Sequence, residues 1–173
     1  MKKYEFTGET KVMAGVTLKR IRALISFGFV AKGEIGGFIE DEKNLSHGGN
    51  AWVTGNAWVT DNARVTGNAW VTDNARVTGN AWVTGNAWVT GNARVADITD
   101  YMLIGSIGSR NDFTTFYKDI DGGISVKCGC FSGTIEEFRE KVEETHGTNT
   151  KHAKVYQAAA NLAEVQILDQ EAE

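Results

Sequence analysis

The stretch "GNAWVTGNAWVTDNARVTGNAWV", Gly49 to Val71, decides how the chain is read, because its six-residue beat runs on without insertion to Val95. The frame is V-T-[G/D]-N-A-[W/R], with valines at 53, 59, 65, 71, 77, 83, 89 and 95. Eight copies in one register mark a repeat architecture before any single element is considered. A helix is excluded, because at about 3.6 residues per turn a period of six does not return one residue type to one face. Val, Thr and Trp favour strands. Each A-W-V therefore reads as a short strand, with Ala and Val on one side and Trp or Arg on the other, until Gly-Asn or Asp-Asn turns the chain. Proline is absent and glycine numbers 20, so the turns fall to Gly, Asn and Asp in left-handed backbone conformations.

The pattern of an aliphatic residue, two or three polar or turn residues and then a small residue resembles the hexapeptide-repeat proteins, whose fold is a left-handed parallel β-helix. The match is close over residues 50–95. The resemblance implies three hexapeptides per triangular coil, so that residues 18 apart stack roughly 4.8 Å above one another, one strand spacing. Valine and alanine would fill the prism. Asn50, Asn68 and Asn86 would form one corner ladder and Asn56, Asn74 and Asn92 another, each amide bonding the next coil. Eight hexapeptides give fewer than three coils, a stub on the order of 13 Å tall, which needs covers.

Upstream, Ile35 falls in the valine frame and Ile39 and Leu45 in the alanine frame, which suggests a ragged earlier coil. His47 stands at a valine position, so the frame slips there. KKYEFTG and GVTLKRIRAL read as two strands, with Gly8 and Gly15 marking turns, and would cap the first coil's open edge. After Val95, YMLIGSIG and FTTFYKDIDGGISVKCGCF read as strands, the latter folded into a hairpin at Asp121-Gly122-Gly123. Thr134 and Glu137 have capping-box spacing, Ile135, Phe138 and Val142 share a helical face, and Gly147 is a stop. A second helix is expected from about Thr150 to Leu168, with Tyr156, Ala160, Ala163 and Ile167 at helical spacing. The fold class is therefore mainly β, a short left-handed parallel β-helix with an N-terminal β cap and a C-terminal α+β domain of a hairpin plus two helices. The expected divisions are an N-terminal β-hairpin cap at 1–28, the β-helix at 29–98 and the α+β domain at 99–173.

Composition narrows the function classes. A formal net charge of −4 supplies no global basic field, which argues against non-specific nucleic-acid binding. No segment reaches the roughly 18 apolar residues of a membrane span, and no apolar run follows the basic N-terminus, so a cytoplasmic chain is expected. The two cysteines, Cys128 and Cys130, cannot make a disulfide framework, in keeping with a reducing compartment.

Sorted by 18, the Trp/Arg position yields three outward stacks: Trp52, Trp70 and Trp88; Trp58, Arg76 and Arg94; and Arg64 with Trp82. The first would be an unbroken indole ladder. The other two pair Trp with Arg in neighbouring coils, within cation–π reach. Cross-strand stacking alone would stabilise the coil by roughly 0.2–1 kcal/mol per pair. Three stacked indoles in water would also form an apolar patch of a few hundred Å², the kind that marks an interface. Trp52, Trp70 and Trp88 are accordingly expected at an oligomer interface, and the resemblance implies a trimer with parallel axes. Trp58, Arg76, Arg94, Arg64 and Trp82 are the expected ligand or partner surface, with phosphate-pairing charge if the ligand is nucleotide-like.

An enzyme reading competes, since the best-known hexapeptide-repeat proteins are acyltransferases that use a histidine base at a subunit cleft. Here no loop interrupts the coils, and the histidines lie outside them at 47, 146 and 152. Only His47 is near a coil, and a buried or solvated turn histidine competes with a base there. His146, at a helix end, reads as structural. No metal or other cofactor is expected: the coils carry no histidine ligand set, and Cys128-Gly129-Cys130, on one side of a strand, reads as buried thiols beside Val126. The threonine ladders, Thr54 with Thr72 and Thr90 and Thr60 with Thr78, do not make a flat ice-binding array, because Trp or Arg sits two residues before each Thr.

The segments YEFTGET, TLKRIRAL, FGFVAKGEIGGFIE, NLSHGGNAWV, IGSRNDFTTFY and VKCGCFSGTIEEFREKV together resemble accessory proteins of bacteriophages and prophages, over nearly the whole chain. That resemblance implies a virus-encoded protein acting in a bacterial host's cytoplasm. The leading expectation is a non-enzymatic oligomeric binding protein, a counter-defence factor that sequesters a small ligand or inhibits a host protein. An acyltransferase-like enzyme and a structural assembly protein are the alternatives.

Overall fold

A computed structural model of the chain describes residues 1–168, which divide into two compact units at Ile98/Thr99. In the first unit a long hairpin, β1 (Tyr4–Met13) and β2 (Val16–Ala23), leads into β3 (Ile35–Ile39). Eight two-residue strands follow, one per hexapeptide: β4 Trp52–Val53, β5 Trp58–Val59, β6 Arg64–Val65, β7 Trp70–Val71, β8 Arg76–Val77, β9 Trp82–Val83, β10 Trp88–Val89 and β11 Arg94–Val95. They stack in parallel into three faces, β3-β5-β8-β11, β4-β7-β10 and β6-β9, a β-solenoid of about three turns. The register is 18 throughout the repeats: Val53 lies on Val71 and Val71 on Val89, Val59 on Val77 and Val77 on Val95, Val65 on Val83.

Every repeat valine is fully buried, and every repeat alanine is buried with it. Each coil donates to the next, as in Trp58 N–H to Ala75 C=O (3.0 Å) and Thr60 N–H to Val77 C=O (3.0 Å). The asparagine ladders form as expected, Asn50 to Asn68 (3.2 Å) to Asn86 (3.1 Å) and Asn56 to Asn74 (3.5 Å) to Asn92 (3.4 Å). At the third corner Asn62 bonds Asn80 (3.4 Å), and Asn44 starts that ladder from below by donating to the Ala63 carbonyl (2.9 Å).

The Gly/Asp alternation has its own geometry. Asp61 and Asp73 stand at turn positions with φ of 56° and 59°, where the other repeats place glycine. Their carboxylates accept the backbone N–H one coil up, Gly79 for Asp61 (3.1 Å) and Gly91 for Asp73 (3.1 Å), which offsets the cost of the left-handed backbone.

The coil below the repeats is shifted by two residues relative to expectation. Ile39 pairs with Val59 and Leu45 bridges Val65, so both occupy valine positions rather than alanine positions, and both are buried. Ile35, expected inside, is 45% exposed. The slip falls at Ser46–Gly49, where the chain has two residues more than a repeat turn before it rejoins at Asn50, whose N–H bonds Gly67 as Asn68 bonds Gly85. His47, displaced from the frame, stacks on Tyr4 at 4.3 Å.

The hairpin covers the first coil's edge, since β2 pairs antiparallel with β3. Gly15 makes the turn with Ala14, both at positive φ, whereas Gly8 (φ 92°) sits in a bulge within β1 instead of ending it. Lys3 and Tyr4 plug the open bottom of the coil: the Lys3 ammonium donates to Ala51 C=O (2.8 Å) and the Tyr4 hydroxyl to Leu45 C=O (2.9 Å).

The second unit is a four-stranded antiparallel meander, β12 (Tyr101–Ile107), β13 (Asp112–Lys118), β14 (Ile124–Cys128) and β15 (Phe131–Thr134), followed by α1 (Ile135–His146) and α2 (Lys151–Leu168). The Asp119–Gly123 hairpin and the Thr134/Glu137 capping box are both formed. Phe138, Val142, Tyr156, Ala160, Ala163 and Ile167 pack with Phe116 and Val126 of the sheet. The CGC segment departs from expectation. Gly129 (φ 58°) turns the chain after Cys128, so Cys130 lies in the β14–β15 turn, exposed, and is not a buried strand thiol.

Candidate functional site

The Trp/Arg position faces outward in all eight repeats, but the hairpin and the following loop cover part of it. On the β3-β5-β8-β11 face, Trp58 is 9% exposed and packs with Leu18 and Phe38, with Met13 and Val16 alongside. It is therefore a floor for its neighbours and not the open stacking platform expected from sequence. Arg76, its Cα partner one coil up, lays its guanidinium 5.6 Å from the indole centroid. Arg94 is the Cα partner of Arg76 in the next coil, and is exposed. The two arginines, Trp58, Thr78 and the hairpin tip at Met13 and Ala14 line a cleft of about 480 Å³.

More positive charge stands on the same sheet. Lys11 lies 3.8 Å from the Phe38 ring centroid and Arg20 lies 4.8 Å from it. Burial, with Arg20 and Arg76 adding repulsion, pulls the Lys11 ammonium below its ordinary pKa against the opposing pull of Glu9. Among the described residues, Glu9 on Arg20 (3.6 Å) is the one carboxylate ion-paired with this set, and Arg76 and Arg94 make no ion pair. Like charges directly opposite on neighbouring strands destabilise a sheet, so the Arg76–Arg94 pair is a cost to the free protein. Its chemistry suits an anion with several oxygens, which two planar guanidinium forks can bind together.

The all-Trp face is interrupted. Trp52 is fully buried, with Phe27 edge-on at 5.4 Å and Tyr4 at 6.5 Å, so it cannot meet another subunit. The expected three-indole surface is reduced to Trp70, half-buried, and Trp88, 44% exposed, with Phe29 at 6.4 Å from Trp70. On the third face Arg64 is exposed beside its Cα partner Trp82, whose indole N–H donates to the Thr66 hydroxyl (3.1 Å).

His47 is tied into the coil's cover. Its Nδ1 accepts the Lys3 N–H (3.2 Å), its ring is stacked on Tyr4, and Glu42 lies 3.8 Å from Nε2. In the second unit a smaller cavity of about 190 Å³, with no counterpart in the sequence reading, gathers Cys128, Cys130, Arg110, His146 and Tyr156. The Tyr156 hydroxyl fits only because residue 108 is glycine, where a Cβ would come within 1.8 Å of it. Burial, then the Cys128 thiol, pushes the Tyr156 phenol up to about 12, so it stays protonated. The cavity is smaller than the roughly 300 Å³ at which small-molecule pockets begin. No set of three or more His, Cys, Asp or Glu among the described residues is arranged to hold a metal ion. Also among the described residues, no helix is long and apolar enough to cross a membrane.

No protein-family description and no curated protein matches the chain.

Proposed function

We propose that this chain is a non-enzymatic binding protein whose solenoid holds an anionic, phosphate-bearing small ligand in the cleft over Arg76 and Arg94. The observation that carries this reading is the like-charge pair itself: two arginines stacked one coil apart, without a carboxylate partner among the described residues, at the mouth of a cleft. Such a pair costs stability until an anion neutralises it. Trp58 holds the Arg76 guanidinium by its indole face, so a nucleotide-like ligand would stack on the arginine plane and not on the indole. Arg64 and Trp82, on another face, are left as a partner surface.

The acyltransferase alternative is weaker on this reading, because Nδ1 of His47 already accepts the Lys3 amide and its ring is stacked into the coil's cover. The resemblances to hexapeptide-repeat proteins and to phage accessory proteins extend the proposal to a phage-encoded oligomer, a trimer first, that sequesters its ligand in the host. Titration calorimetry with nucleoside mono-, di- and triphosphates tests the site. Saturable binding lost in Arg76→Ala/Arg94→Ala supports it, and binding that survives in that variant removes the cleft from consideration.

A further inference from the structure

On a different face the structure carries a second cleft, whose lining is aromatic and amide in place of cationic. Phe29, Trp70 and Trp88, together with Asn50, Asn68 and Asn86, line a trough of about 620 Å³. That volume lies within the roughly 300–1,000 Å³ of small-molecule pockets. The trough follows the stacking direction: its indoles are a cross-coil register, Trp70 to Trp88, and its asparagines are the hydrogen-bonded amide ladder. The loop carrying Gly28 and Phe29 closes its lower end, where Gly28 lies so close to Asn50 that a Cβ would meet it at 3.2 Å.

Three features select a ligand class. Among the described residues none that lines the trough is charged, so an ionic ligand would lose its hydration there without gaining a counter-charge. The rings are tilted, 46° between Trp70 and Trp88 and 59° between Phe29 and Trp70, so no parallel slot exists to sandwich a flat base. The amide ladder uses only one N–H and one lone pair of Asn68, and the exposed amides keep further donors and acceptors for a ligand.

We infer that this trough binds a neutral linear oligosaccharide. A pyranose ring offers an apolar C–H face, whose partial positive charge is attracted to the negative face of an indole. Its rim of hydroxyls both donates and accepts, as the free valences of the asparagine amides require. The indole and the amide recur together one coil apart, the two indole centroids 6.1 Å from each other, so the trough repeats its chemistry along its length and suits a chain of sugars better than one.

The test is titration of the full chain with cellohexaose, maltohexaose and chitohexaose, read by tryptophan emission and by calorimetry. Adenosine serves as a neutral planar competitor, and equilibrium sedimentation is run in parallel. The expected result is saturable binding of at least one hexasaccharide, weakened roughly tenfold by Trp88→Ala and also weakened by Asn68→Ala, but unchanged in Arg76→Ala/Arg94→Ala. The two trough variants remove surface groups, and circular dichroism checks that both fold. Absence of binding by all three sugars, or binding of adenosine alone, overturns the proposal. So does an oligomer that Trp88→Ala dissociates in a protein that binds no sugar, which would make the trough a contact between copies of the chain.

Discussion

Arg94 stands directly above Arg76 on adjacent parallel strands, and neither guanidinium meets a carboxylate among the described residues. In a chain of net charge −4, carboxylates were available to pair them, yet the fold places Trp58 below and a cleft beside them. Replacing Arg94 by Gln therefore relieves repulsion. Thermal unfolding at low salt should show the variant more stable than the parent by about 0.2–1 kcal/mol, and added sodium chloride should shrink the difference.

The interior valines carry the coil. Val77 is fully buried between Val59 and Val95. Val77→Ala removes two methyl equivalents from a stack that cannot collapse around them, and should cost about 2–3 kcal/mol in denaturant unfolding. Ala75→Leu should also destabilise, by about 1–3 kcal/mol, because the prism has no room for the larger side chain.

Asp73 separates backbone strain from hydrogen bonding. Its φ of 59° favours glycine, while its carboxylate accepts from Gly91 N–H and from the Thr90 hydroxyl. Asp73→Ala keeps the strain and loses both bonds, for an expected loss of about 1–3 kcal/mol. Asp73→Gly loses the bonds but relieves the strain, and chemical denaturation should rank it between Asp73→Ala and the parent.

Lys3 predicts a pH dependence. Its burial lowers the ammonium pKa to about 8 in the folded chain, from an ordinary 10.5. Between these values the unfolded chain binds the extra proton, so this residue makes stability rise with pH from about 8 towards 10.5. Tyr4 acts in the opposite sense at higher pH: burial first, then Glu42 and Asp41, raise its phenol, and the stability it contributes is lost as pH climbs above 10. Urea titrations of the parent and Lys3→Met across roughly pH 7–10 should show the upward slope in the parent and a flatter profile in the variant.

The regular coils are legible because each hexapeptide meets only its neighbours 18 residues away, so the period carries the packing from Val53 to Val95 with no further information. Where contact partners are distant and irregular, the period says nothing. Trp52 carries the same sequence signal as Trp88, but Phe27 and Tyr4, remote in the chain, bury it. Ile39 and Leu45 fall at alanine instead of valine positions when the repeat is extended backwards, because the two additional residues at Ser46–Gly49 shift the register by an even number, which keeps both side chains inside and leaves an alternating apolar pattern intact. Trp58 belongs to the cleft, as its period implies, but its exposure is set by the β1–β2 hairpin, which no repeat encodes. The amide-lined trough needs both the Asn ladder, readable from the period, and Phe29, whose loop has no repeat to place it.

The most direct test of the central claim is the melting temperature of the parent and of Arg94→Gln in sodium pyrophosphate against sodium chloride at equal ionic strength. If the paired guanidiniums hold an anionic ligand, pyrophosphate raises the parent's melting temperature well beyond chloride, and Arg94→Gln starts higher and gains little more. An equal pyrophosphate gain in both proteins, or none in the parent, would contradict an anion site at Arg76 and Arg94.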